Sequence, residues 1–221
     1  MIKNEQDLLA LAHQLCGLTI AQLAERLNEI VPDNSLHAKG FVGQLIERAL
    51  GANSGNLPVA DFPDLGVELK TIPINTKGKP RESTYICMVP LKAQYHIVFE
   101  QTVVYQKLQR ILWIPIESEP HTQVSARRIG QPLLWSPNEI QFQQLRADWQ
   151  ELVDMIAMGE LEMISAQIGE YLHIRPKAAD ARSLTKSINF LGETTQTLPR
   201  GFYLRSVLTE QIINRSQQKK N

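Results

Sequence analysis

The stretch "VADFPDLGVELKTI" at residues 59–72 constrains this chain more than any other. Val67, Leu69 and Thr71 alternate with Glu68, Lys70 and Ile72, a period of two. That period specifies a β-strand and puts Glu68 and Lys70 on the same face of it. The turn-like "FPDLG" precedes it, and Asp64 reads as a residue of that turn. A carboxylate and an ammonium side by side in an apolar strand have two explanations. They can be an edge-strand ion pair, or they can be part of a catalytic site.

The remaining elements suggest a mixed α/β (α+β) chain. Leu8, Leu9, Leu11, Ala12 and Leu15 form a helical stripe. Thr19 and Gln22 stand in capping-box register for a second helix. "KGFVGQLIERALGAN" reads as a third helix, which carries Glu47 and stops at Gly51. Strands are expected at residues 66–72, 83–89, 97–99 and 110–117, with a turn at "NTKGKP". "SPNE" then opens a long helix reaching about residue 157. Ser136 is its expected N-cap, Pro137 its first helical residue, and Glu139 closes the box. Strands near 171–174 and 202–204 follow, then a terminal helix from Ser206 with a frayed tail.

At 221 residues and 43% hydrophobic, the chain can bury a full core. Lys plus Arg equals Asp plus Glu at 23 each, so no global charge announces a nucleic-acid partner. The charge is uneven, however. Residues 137–170 hold seven acids and only Arg146 as a base, whereas residues 171–221 hold nine bases and three acids. A solvated acidic helix beside a mildly basic tail explains this, and so does a basic lobe that meets phosphate. Cys16 and Cys87 sit in apolar segments without metal-type spacing, as expected of free thiols in a reducing compartment. No targeting signal or membrane span is legible, so a cytoplasmic protein without a membrane partner is expected.

The spacing Asp61-x6-Glu68-x-Lys70 fits metal-dependent phosphodiester chemistry. Mg²⁺ takes hard oxygen ligands from one or two carboxylates and keeps several waters. Asp61, Glu68 and the carbonyl of Leu69 are the candidate ligands. Lys70 could orient or help deprotonate a water and offset charge in the transition state. Glu47 is a candidate supporting acid. The pattern alone is short, and the ion-pair explanation stands beside it.

The blocks "DFPDLGVELKTIP", "LWIP", "PLLWSPNE", "YLHIRPKAA" and "LPRGFYL" together extend the comparison over essentially the whole chain. In this order they resemble the MutH family, the strand-discriminating endonucleases of DNA mismatch repair. That resemblance implies a restriction endonuclease-like fold: a central mixed sheet flanked by helices, with one domain of N- and C-terminal lobes around a DNA cleft. It implies a Mg²⁺-dependent enzyme that nicks the unmethylated strand of hemimethylated GATC sites. It also implies activation by MutL, after MutS has found a mismatch. The catalytic trio falls on Asp61, Glu68 and Lys70, with Glu47 in support and Lys107 in "VVYQKLQR" as a further active-site lysine. DNA contacts fall on the loops at Lys39 and Gly40 and at Arg175, Pro176 and Lys177, and on Tyr203. Tyr85 stands where the family has an aromatic near the DNA. Neutral charge and the lack of a second domain fit a regulated monomer. An autonomous GATC restriction enzyme and a non-catalytic DNA-binding module of the same fold are the alternatives.

Overall fold

Three amphipathic helices begin the chain, and each is stopped or capped by local chemistry. Helix α1 (Glu5–Leu15) is capped by Asn4, whose side chain accepts from the Asp7 amide. Helix α2 (Ile20–Arg26) has the expected reciprocal box between Thr19 and Gln22. Helix α3 (Ser35–Leu50) ends at Gly51, whose φ of +72° suits glycine. The structure, a computed structural model, describes residues 2–32, 35–52, 59–91, 97–178 and 182–218, with backbone alone at 35–39 and 215–218.

The chain divides into two units. The first joins residues 1–82, 109–136 and 210–221. Its sheet has the order β1 (Glu68–Ile74), β3 (Ile111–Glu117), β4 (Leu133–Trp135), with β1 parallel to β3 and β4 antiparallel. Leu69 of β1 and Leu112, Ile114 and Ile116 of β3 face one way. With Leu8, Ile20, Leu23, Leu45 and Ile46 from the helices, they form one core. A Cβ on Gly43 would lie 3.9 Å from Thr71 Oγ1, so α3 packs on this face of β1. Arg110, at the entry to β3, binds Glu5 of α1 through two guanidinium nitrogens, Nε and Nη2. That contact holds the Glu5 carboxyl below its usual range.

Hydrogen bonding shows which edge of β1 is open. Glu68 N donates to Arg110 O at 2.9 Å, so Glu68, Lys70 and Ile72 turn their backbone toward β3. Leu69, Thr71 and Pro73 therefore turn theirs to the other side. Pro73, which has no N–H, thus falls on the side away from β3, where no bond to β3 is lost and its carbonyl accepts from Arg81 N at 3.0 Å.

The second unit joins residues 83–108 and 137–209. Its sheet is antiparallel, in the order β2 (Thr84–Met88), β8 (Arg200–Leu204), β5 (Leu172–Pro176), and β6 (Thr185–Ile188) pairs with β7 (Thr194–Thr197) as a ribbon. Helix α4 (Val103–Leu108) packs on β2, and α5 (Glu139–Ala157) on β5. Helix α6 (Ser206–Gln218) starts in this unit and continues into the first. Residues 171–209 of the basic C-terminal segment thus share their unit with the acidic helix α5, while residues 210–221 belong to the first. Among the described residues no helix is long and apolar enough to cross a membrane.

Two local expectations are corrected. Asn138, not Ser136, caps α5: its side chain accepts from Gln141 N at 2.9 Å, and Gln141 Oε1 accepts from Asn138 N at 3.2 Å. The Ser136 hydroxyl is spent on Gln109 O at 2.6 Å. Residues 97–99 form no strand; Phe99 begins a short 3₁₀ turn. Its ring is 2% exposed and packs against Tyr105, Phe142 and Trp149. Burying that aromatic, rather than pairing backbone, decides the segment.

Asp148 of α5 locks β5 in place. It is 2% exposed and accepts N–H bonds from Glu170, Tyr171 and Leu172 at 3.0, 2.6 and 2.8 Å. Gln144 Nε2 adds a fourth at 2.8 Å. Gly169 makes the tight approach possible, since a Cβ there would lie 1.9 Å from Leu172 O. Asp148→Ala strands these buried donors and should cost roughly 3 kcal/mol or more. Urea unfolding at constant m-value measures this; a loss under about 1 kcal/mol would mean β5 does not depend on the anchor.

Candidate functional site

Strand β1 brings together the residues of the opening motif. Glu68 is 1% exposed and Lys70 Nζ donates to its Oε1, so both side chains lie on one face. The strand period dictates this, and the register sets Glu68 opposite Ile111 and Lys70 opposite Trp113, both fully buried. The carboxylate is thus sunk in apolar surroundings with an ammonium against it. Burial of either charge alone would cost several kcal/mol.

Asp61 reaches the same strand from its open edge. Phe62 and Val67 exchange backbone hydrogen bonds across the "FPDLG" turn, closed by Gly66 at φ +63°. That returns the chain alongside β1 and sets Asp61 beside it. Asp61 Oδ2 accepts from Leu69 N at 2.8 Å. The Leu69 carbonyl, like its amide, points to this edge and away from β3. The Glu68 carboxylate and the Leu69 carbonyl thus belong to one short stretch of β1, and the Asp61 carboxylate is bound to the same stretch through the Leu69 amide. Among the described residues no three His, Cys, Asp or Glu side chains form a metal-holding group. Two carboxylates and a backbone carbonyl are hard oxygen donors, the kind that Mg²⁺ takes in small number.

Asp64 lies exposed in the 3₁₀ turn, as its turn context suggested. Glu47 is half-buried on α3, one helical turn after Gly43 and on the same face. Lys107 is half-buried on α4, in the second unit. Gly40 is exposed on α3; the Lys39 side chain lies outside the described residues.

In the second unit, four further candidates form one cluster on a sheet face. Tyr203 of β8 stands between Tyr85 of β2 and His173 of β5 in register. The Tyr85 and Tyr203 rings meet edge to face at 5.4 Å. Lys177 Nζ sits 4.7 Å from the Tyr85 ring centre, and Arg175 Cζ 6.0 Å from that of Tyr203. Two cations are thus steered by two aromatic faces while staying exposed. Pro176 is exposed between them, and Lys177 N is fixed to Pro199 O at 2.7 Å. Burial pushes the Tyr85 phenol up to about 12, helped by Cys87 and Tyr203, so at neutral pH it keeps its proton and can donate.

Two members of this face were not singled out from the sequence. A Cβ on Gly201 would lie 2.8 Å from the Tyr85 ring and 3.1 Å from that of Tyr203, so only glycine allows the rings to close over β8. The signal was "RGFYL", a glycine inside a strand pattern. His173 is 5% exposed, shares a 3.1 Å hydrogen bond with Ser83 Oγ, and touches Tyr203 edge to face. Burial lowers its pKa, which favours the neutral ring.

Known proteins are similar to this sequence over nearly its full length. The family model of the DNA mismatch repair enzyme MutH matches residues 50–148, which include Asp61, Glu68, Lys70, Tyr85 and Lys107. The DNA mismatch repair protein MutH of Escherichia coli O127:H6 (strain E2348/69 / EPEC) is 49% identical over 213 residues, 96% of this chain and 93% of the relative. That of Escherichia coli (strain K12) is 48% identical over the same shares. With that identity across both units, the chain belongs to the MutH family of DNA mismatch repair enzymes.

Proposed function

We propose that the chain is a Mg²⁺-dependent endonuclease that nicks the unmethylated strand at hemimethylated GATC sites, 5′ to the G. In this reading it acts as a cytoplasmic monomer on double-stranded DNA, and MutL switches it on after MutS has found a mismatch. The observation that carries the reading is the buried Glu68–Lys70 pair with Asp61 fixed to the adjacent Leu69 amide. An edge-strand ion pair gains little in water and has no need of a buried carboxylate.

Asp61, Glu68 and the Leu69 carbonyl would hold the ion. When bound, Mg²⁺ supplies Lewis-acid polarisation of the scissile phosphate. Lys70, kept at Glu68, would as an ammonium orient the attacking water and offset charge on the phosphate, and would take the water's proton only as the neutral amine, after giving up a proton of its own to solvent. Glu47 supports Lys70 or a water, and Lys107 adds a second cation for the phosphate.

Sequence and methyl state would be read from the tyrosine-cation face. Arg175 and Lys177 suit guanine edges and phosphate, and the Pro176 carbonyl suits an unmodified adenine amino group. A methyl on that amino group removes one donor hydrogen and adds bulk, and Tyr203 with Arg175 would form the wall it meets. Tyr85 would offer its proton to a phosphate or base acceptor. The loop at Lys39 and Gly40 is the remaining contact.

Asp61→Ala, Glu68→Ala and Lys70→Ala should each lower the nicking rate by about 100-fold or more while DNA affinity in chelator is little changed. Lys70→Arg should rescue poorly, because guanidinium does not accept a proton. Strand-resolved nicking of a GATC plasmid, with and without EDTA, measures both. Full activity in any alanine variant removes that residue's role, and activity in EDTA removes the metal.

The methyl reading predicts that Tyr203→Ser lowers the ratio of nicking rates on unmethylated and fully methylated GATC duplexes by about tenfold, because removing the wall relieves the steric part of the penalty against the methyl group. If Tyr203→Ser and Arg175→Ala both leave the ratio unchanged, the methyl group is read elsewhere. Lys177→Ala should instead weaken binding to all duplexes and reduce the salt slope by about 1. An unchanged slope would place Lys177 away from phosphate.

A further inference from the structure

The turn joining β6 to β7 presents Phe190 and Leu191, which are 76% and 66% exposed. Among the described residues they are the only consecutive pair of large apolar side chains left in solvent. The turn is well fixed. Asn189 Oδ1 accepts from Leu191 N and Glu193 N at 3.0 and 2.9 Å, and Asn189 Nδ2 donates to Glu193 Oε2 at 3.0 Å. Gly192, at φ +78°, completes it.

The turn also has a firm backing. A Cβ on Gly159 would lie 2.2 Å from the Asn189 carbonyl carbon, so the turn presses on the end of α5 beside exposed Met158. Thr197 Oγ1 donates to Glu162 at 2.9 Å and ties the end of β7 to the same segment. Two apolar side chains held on a fixed turn lose little entropy when covered, which is the economy of a docking anchor.

The surrounding charge indicates what covers them. Asp154 precedes Met158 by one turn on the same face of α5, Glu160 follows Gly159, and Glu193 closes the turn itself. The nearby base Arg200 is engaged by Glu162. Lys186 stands back from the tip, opposite Gln196. An apolar centre with carboxylates at its rim repels phosphate and favours a protein whose apolar pocket is edged by lysine and arginine.

We propose that the Phe190–Leu191 tip, with Met158 beside it and carboxylates around it, is the docking site of that protein activator. The inference rests on the reading that a protein partner switches nicking on. It assigns the partner to residues with no part in cleavage or in the tyrosine-cation face.

The test measures nicking by the full chain with and without purified MutL, together with MutL binding and DNA affinity. Phe190→Ser/Leu191→Ser should cut MutL stimulation and binding roughly tenfold or more, with unstimulated nicking and DNA affinity unchanged. Asp154→Lys/Glu160→Lys, which leaves the tip intact, should weaken MutL binding at low salt and matter less at high salt. Unchanged stimulation in both variants overturns the proposal. Loss of unstimulated nicking or DNA affinity in the serine variant also overturns it, since the tip would then be touching DNA. If MutL does not stimulate the wild type, the activation reading itself fails, and this proposal with it.

Discussion

Glu68 is a carboxylate with almost no exposure, on a strand between Leu69 and the apolar residues of β3. Taking it out of water costs several kcal/mol, which the lysine two residues on offsets only while both stay in place. Such a pair is a poor source of stability. The surrounding core supplies that instead: Leu69, Leu112, Ile114 and Ile116 face α1, α2 and α3 on the opposite side of the same sheet. One face of β1 thus anchors the strand, and the other is free to hold charge. The open edge completes the division, because the backbone of Leu69 is left to Asp61 rather than to a neighbouring strand.

Strand β8 divides its work in the same way. Phe202 and Leu204 are buried, while Tyr203 between them faces the Tyr85 and Arg175 side. Gly201 removes the side chain that would hold those rings apart. At the start of β5, Asp148 fixes the strand that ends in Arg175 and Pro176, with Lys177 directly after it. The residues proposed to read DNA therefore stand on elements fixed by buried contacts, as precise recognition requires. Family membership and the mixed α+β architecture agree with the restriction endonuclease-like fold expected from the sequence.

Much of this was legible in the sequence because strand period and capping chemistry are local. The alternation at Val67–Ile72 placed Glu68 beside Lys70, and Thr19 with Gln22 marked the start of α2. What stayed hidden depends on tertiary contacts. Ser136 looked like a cap, but its hydroxyl binds Gln109, and Asn138 takes the role. Phe99 looked like strand and is instead the centre of an aromatic cluster. The β6–β7 ribbon is built largely from threonine, serine and lysine, so it gives no hydrophobic alternation to read. Gly201 and His173 acquire meaning only once β2 and β5 flank β8.

The central claim is that Asp61, Glu68 and the Leu69 carbonyl form one divalent-ion site beside Lys70. The most direct measurement is a crystal structure of the protein with a hemimethylated GATC duplex and Mn²⁺, read by anomalous scattering. The account predicts a peak bonded to oxygens of all three residues, with Lys70 Nζ close to the scissile phosphate. A peak ligated by other residues, with Asp61 still held only by the Leu69 amide, would contradict it.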